Sequence, residues 1–107
     1  IEECSNYKNY QDDYWRQNNY RRCIYCNIYM IEMQCDLSET PVNYSNLVSS
    51  YMKLDKQEEE SKPDSAFWAL NKGLESKNND ENLLLLGVIL LKKRELYLFK
   101  NYTKFIN

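Results

Sequence analysis

The sequence predicts a small all-α protein, a disulfide-stapled helical bundle, and three observations lead to that prediction. First, the chain of 107 residues contains only two glycines and two prolines, far fewer than a fold rich in turns and strands requires. Second, apolar residues recur at helical spacing along most of the chain. Third, residues 80–107 contain no proline and hold the longest apolar run of the sequence. The length fits a single helical domain, residues 1–107.

The last predicted helix, residues 80–107, is expected to form the centre of the fold. Asn79 and Asp80 can cap its first free N–H groups, and an apolar run then extends from Leu83 to Leu91. A membrane span needs about 20 apolar residues, and the basic residues that follow Leu91 end this run too early for one. We therefore expect no membrane span but a core helix, whose central stripe comprises Leu84, Val88, Leu91 and Leu98.

The opposite side of this helix, with Leu85 and Ile89, needs a cover of its own. In a monomer, the first two predicted helices, held by disulfides, can supply that cover through Ile24, Ile28 and Ile31. In a symmetric homodimer, the same face of another copy can supply it. The sequence leaves monomer and homodimer open, and we expect the cover from within one chain.

Four shorter helices are predicted before the last one, which makes about five in total. Their expected ranges are 5–17, 20–34, from Pro41 to about residue 57, and from Pro63 to between residues 73 and 78. A chain reversal is expected at residues 17–19, which are rich in asparagine. Residues 58–62 form a charged loop without the alternating ligands and central glycine of a calcium site.

The composition excludes most catalytic and nucleic-acid-binding classes. The chain has no histidine, which removes Ser-His-Asp and Cys-His catalysis as well as imidazole ligands for zinc. Its 14 basic and 16 acidic residues give a net charge of −2, so there is no basic field for nucleic acid. Neighbouring acids such as Asp12 and Asp13 point in different directions on a helix and do not converge on one substrate atom. We expect a non-enzymatic protein without catalytic residues, metal or cofactor.

The four cysteines, Cys4, Cys23, Cys26 and Cys35, favour an extracellular compartment and two disulfides. A bridge needs Cα atoms about 4.4–6.8 Å apart, so Cys4 can reach the others only if the chain reverses before Cys23. A strict hairpin pairs Cys4 with Cys35 and leaves Cys23 with Cys26. A second helix that ends near residue 31 instead lets Cys23 and Cys26 pair outward, one with Cys4 and one with Cys35. We expect the outward pairing. The single C-x-x-C motif lacks both the second pair of a zinc ribbon and the strand that precedes a thioredoxin-like motif.

One short motif resembles a known family. Cys23, Tyr25 and Cys26 resemble the cysteine-tyrosine-cysteine motif of the aphid "bicycle" proteins, which are secreted, rapidly diverging salivary effectors linked to plant galls. Members of that family carry the motif in pairs, and this chain carries one clear copy. The resemblance implies a non-enzymatic protein that is delivered in insect saliva and acts in a plant host, with no catalytic residues to carry over.

The tyrosines suggest how such a protein could act. The chain has ten tyrosines, and six of them precede Cys35. Exposed tyrosines suit a protein partner because they give large contact area at low entropic cost. The alternative is that their rings cover the core while their hydroxyl groups stay in water. We expect a secreted effector or binding protein that acts through its surface on a partner protein, with a candidate contact cluster at Tyr7, Tyr10, Tyr14 and Tyr20.

A second function class is a small helical carrier of a hydrophobic ligand. A carrier would need an enclosed apolar cavity of several hundred Å³, whereas a solid core would favour the effector. Two sequons, at Asn43 and Asn101, add candidate sites for N-glycosylation.

Overall fold

The protein is all-α in its computed structural model, which describes residues 2–58 and 64–106, and the side chains of residues 3–58, 64–96 and 98. No described residue lies in a strand, and the five predicted helices are all present. A short 3-10 helix, Leu37–Glu39, precedes the third of them. The helices are α1 Glu2–Arg16, α2 Tyr20–Glu32, α3 Thr40–Gln57, α4 Asp64–Ser76 and α5 Glu81–Ile106. Residues 59–62 of the predicted charged loop, and the predicted helix start at Pro63, lie outside the described residues.

The reversal between α1 and α2 lies where the sequence predicts it. Asn18 adopts a left-handed conformation with a φ of 57°, which asparagine tolerates better than most residues. The Asn18 N–H donates to the Trp15 carbonyl at 3.0 Å, and the Asn19 N–H donates to the Tyr14 carbonyl at 2.8 Å. These are the two hydrogen bonds of a Schellman motif, which closes α1. The Asn19 side chain then accepts from the Arg22 N–H and caps α2, so two adjacent asparagines turn the chain.

The end of α2 repeats this geometry without an asparagine. Gln34 is left-handed, with a φ of 53°, and the Cys35 N–H donates to the Met30 carbonyl at 3.0 Å. The helix therefore ends at Glu32, earlier than predicted, and the chain folds back so that Cys35 lies beside the start of α1. Asp36 then caps the 3-10 helix by accepting from the Ser38 N–H, which leads into α3.

The apolar core is built around α3 and not around α5. α3 packs against α2, α4 and α5, whereas α1 packs against α2. Leu47 and Val48 of α3 are fully buried at the centre. The remaining members of the buried cluster come from α2, α4 and α5: Ile24, Ala66, Ala69, Leu70, Leu83 and Leu90.

α4 approaches α3 and α5 closely because it presents small residues to them. A Cβ atom added to Gly73 would lie 2.8 Å from the Tyr44 Cβ and 2.9 Å from a methyl carbon of Leu83. Carbon atoms in contact normally stay about 3.5–4.0 Å apart, so this crossing leaves no room for a side chain. Gly73 thus fixes the point where three helices meet.

The expected centre of the bundle is wrong. Leu84, Val88, Leu91 and Leu98 are exposed, and α5 enters the core through Leu83 and Leu90 instead. The expected cover by α2 is also wrong, because α5 contacts only α3 and α4 among the described helices. Ile24, Ile28 and Ile31 belong to or pack against the core cluster at another place. Within the described part of the chain, no helix is both long enough and apolar enough to cross a membrane.

Candidate interaction surface

α5 exposes more large aliphatic side chains than any other described helix. Seven of them are between 39% and 62% exposed, although nothing in their chemistry favours water. With 100° of rotation per residue, they fall into two strips on either side of the buried Leu83–Leu90 line. The first apolar strip is Leu84, Val88, Leu91 and Leu98. The second apolar strip is Leu85, Ile89 and Leu96.

Together with the buried line, the two strips give α5 three apolar directions, and the described residues cover only the buried one. The first strip lies about 100° from the buried line and the second about 130° from it in the other direction. Lys92 and Glu81 lie between the strips on the outer side. The sequence predicts this apolar run, but as the core of the bundle. The signal for exposure was its all-round apolarity, which exceeds what four short helices can cover.

The tyrosine cluster does not form one exposed face. Tyr20 is buried, packs edge-on against Trp15 and donates its hydroxyl to the Asn18 side chain. Tyr7 is half-buried and stacks on Tyr29, with ring centroids 3.8 Å apart.

Of the remaining two members, Tyr14 is half-buried under the Arg22 guanidinium, and Tyr10 is exposed. Rings of this group therefore serve mainly to join α1 to α2.

One disulfide is present, between Cys4 and Cys35, with Cα atoms 5.7 Å apart. The expectation that all four cysteines form two bridges is wrong, and so is the outward pairing, because Cys23 and Cys26 are buried free thiols. The early end of α2 at Glu32 brings Cys35 to Cys4 directly. Cys23 and Cys26 lie inside a continuous helix, where pairing with each other would distort the backbone.

The two free thiols are in an environment that disfavours their reactive thiolate form. The Cys23 thiol donates to the Gln11 carbonyl at 3.5 Å, across the contact between α1 and α2. Burial raises the pKa of Cys23 from 9.0 to about 11, with smaller contributions from Cys26 and Asp12. Burial also raises the pKa of Cys26. Since the thiolate is the reactive form, both cysteines act as small core residues at neutral pH.

The motif that carries the family resemblance is divided between the core and the surface. Its two cysteines point inward, and Tyr25 between them is 72% exposed. Tyr25 is thus the most exposed large hydrophobic residue of α2. Its ring is open to solvent, in contrast to Tyr20 of the predicted cluster.

Two pockets formed by described residues are lined mainly by polar and charged residues. One of about 230 Å³ lies between α1, α3 and the disulfide, and Lys8, Gln11, Asp12 and Asn43 contribute to its wall. A shallow depression near the end of α4 is lined mainly by polar residues of positions 71–79. Neither is the apolar cavity that a carrier requires. No group of three or more potential metal ligands occurs among the described residues.

Of the two sequons, the one at Asn43 has a described acceptor side chain. Asn43 is only 7% exposed and lies within α3, so a glycan there would have to displace packed side chains. It is therefore a poor acceptor in the folded chain. The side chain of Asn101 lies outside the described residues.

Comparison with known proteins adds no relative to this picture. No protein-family model, no curated protein and no solved structure matches the chain.

Proposed function

We propose that the protein is a secreted, non-enzymatic effector or binding protein that acts through its surface on a partner protein. The observation that carries the proposal is the exposure of seven large aliphatic side chains on α5. Monomeric proteins rarely expose contiguous apolar patches beyond roughly 300–600 Å², and larger ones mark interaction sites. A single long helix with apolar strips is also a common way to fill a groove on a partner.

The remaining chemistry supports a binding role. The free thiols are buried and protonated at neutral pH, and the described residues hold no cluster of metal ligands. The Cys4–Cys35 disulfide is compatible with an extracellular protein. Together with the resemblance of Cys23, Tyr25 and Cys26 to the aphid salivary effectors, this makes a plant protein the first partner to test.

The test is cross-linking in plant leaf extract, followed by mass spectrometry of the captured proteins. Wild-type protein is compared with Leu96→Lys, which places a charge in the second apolar strip. The matched control is Leu37→Lys, because Leu37 is a similarly exposed leucine outside α5. We expect a saturable plant partner that is cross-linked near α5, lost in Leu96→Lys and retained in Leu37→Lys.

Two results would contradict the proposal. One is a cross-linking pattern that Leu96→Lys leaves unchanged. The other is a lipid or other small apolar molecule that copurifies with the protein at one molecule per chain, as measured by native mass spectrometry. That result would favour the carrier.

A further inference from the structure

The first apolar strip of α5 has the spacing of a coiled-coil seam. Leu84, Val88, Leu91, Glu95 and Leu98 follow one another at intervals of four, three, four and three residues. In heptad terms the leucines take the d positions, and Val88 and Glu95 take the a positions. A straight helix would rotate this line by about 20° per heptad, so the strip suits a partner helix that supercoils with α5.

We propose that this strip is a self-association surface on which α5 packs against α5 of a second copy, antiparallel, about a two-fold axis. A two-fold contact uses the same patch on both copies, and a strip centred on leucine and valine is apolar enough to meet itself. The second apolar strip stays outside the contact on each copy. The assignment of the second apolar strip to a plant partner rests on the proposed function. The self-association does not, because it rests on the first apolar strip alone.

Glu95 determines the orientation. In a parallel pair, residues at a positions face each other, so Glu95 would lie against Glu95 of the second copy at an apolar interface. Like charges directly opposed in this way destabilise the contact. In an antiparallel pair, a positions face d positions, so Glu95 lies beside a leucine. In the register that sets Glu95 opposite Leu91 of the second copy, Lys92 of that copy lies one residue away along the axis, at the edge of the seam. An exposed lysine beside an exposed glutamate then forms an intermolecular ion pair.

The shape of the molecule agrees with this orientation. α5 has 26 residues and contacts the rest of the fold through Leu83, Leu86, Gly87 and Leu90 in its first half. Its described second half is exposed, apart from the contact of Arg94 with the Phe67 ring. The antiparallel arrangement places the two bodies at opposite ends of the helix pair, and the second half of each α5 lies on the first half of the other.

The size of the contact sets the expected affinity. The four aliphatic residues of the strip are each about half exposed. Even with the stems of Lys92 and Arg94, the pair stays below the roughly 800 Å² per partner of a standard interface. We therefore expect a reversible dimer with a dissociation constant in the micromolar range.

Analytical ultracentrifugation tests the surface. From low to high micromolar concentration, the wild-type mass should rise from 13.0 kDa toward twice that value. Leu91→Lys removes an apolar residue from both sides of the contact, and we expect it to raise the dissociation constant by about 100-fold or more. Leu96→Lys, in the second strip, is the matched control and should dimerise as the wild type does. Both residues are exposed, so both variants should keep the helical circular dichroism of the wild type.

A charge exchange tests the orientation. Lys92→Glu and Glu95→Lys should each weaken the dimer about tenfold, and the double variant should recover most of the loss. In a parallel pair, Lys92 faces no glutamate, so Lys92→Glu would have no effect, and that result would overturn the antiparallel assignment.

The outcomes separate this proposal from the proposed function. A wild-type protein that stays monomeric at the highest concentration overturns self-association, and so does a dimer that Leu96→Lys dissolves while Leu91→Lys leaves it intact. A monomeric protein that still captures a plant partner through Leu96 leaves the proposed function standing. A dimer that captures nothing leaves the self-association standing.

Discussion

Gly73→Ala should destabilise the protein, although alanine is the better helix former. The substitution gains about 1 kcal/mol in helix propensity. Against this gain, the new Cβ would lie 2.8 Å from the Tyr44 Cβ and within 3.0 Å of both methyl carbons of Leu83. Leu83 is fully buried, so its side chain has no free space to turn into, and α4 must move away from α3. Overpacking of this kind costs about 1–3 kcal/mol, and we expect a net loss of about 1 kcal/mol and a melting temperature lower by about 4–8 °C.

Gly87→Ala is the matched control, because Gly87 is also a helical glycine that faces α4. A Cβ atom added there meets only a Leu70 methyl carbon at 3.4 Å, an ordinary contact. The propensity term should therefore dominate, and this variant should gain about 0.5–1 kcal/mol. Urea unfolding followed by circular dichroism at 222 nm, a wavelength that reports helix content, measures both variants. If Gly73→Ala were as stable as Gly87→Ala, the three-helix contact at Gly73 would not be as close as the structure has it.

Two further predictions concern the thiols and the helix ends. Because burial raises the pKa of Cys23 from 9.0 to about 11, the folded state favours the neutral thiol, and the resulting stabilisation is complete below pH 9 and lost as the pH rises toward 11. The free energy of unfolding should therefore fall more steeply between pH 9 and 11 in the wild type than in Cys23→Ala. Equal slopes would contradict the burial of this thiol. Gln34→Gly should stabilise the fold by about 0.5–1 kcal/mol, because glycine adopts the left-handed conformation without the strain that glutamine has there. Asn18→Gly should stabilise it by only a few tenths of a kcal/mol, since asparagine already tolerates that conformation. Equal gains in thermal melts would show that residue type does not matter at these helix ends.

The helices could be predicted from the sequence, but the buried face of α5 could not. Prolines, asparagines and apolar spacing mark where the helices begin and end, and the bounds agree within a few residues except at the start of α1. The run from Leu83 to Leu91 in α5 is apolar on every side, so its periodicity does not choose a core face. α5 turns its Leu83 and Leu90 side toward the core because Gly73 of α4 and Gly87 of α5 let the two helices approach closely there.

The disulfide pairing and the candidate surface escaped prediction for related reasons. Cys35 reaches Cys4 because Gln34 adopts a left-handed conformation, and glutamine gives no signal of that in a sequence. The surface was missed because exposed and buried leucines look alike until the packing partners are known. Tyr20 was predicted to be exposed, but Trp15 packs against its ring, and the sequence does not show that contact.

The Cys4–Cys35 bridge makes the shape of the protein depend on the compartment that holds it. No described residue of α1 belongs to the apolar cluster, so α1 is held by its contacts with α2 and by a bridge between residues 31 positions apart. A bridge of that span contributes about 4 kcal/mol by restricting the unfolded chain. In the cytosol of a cell, where glutathione reduces such bonds, α1 becomes the segment that opens first, while α2 to α5 keep their shared core. Opening would uncover Cys23, whose thiol donates to the Gln11 carbonyl of α1, so reduction of the bridge would expose a thiol that the bridged form buries.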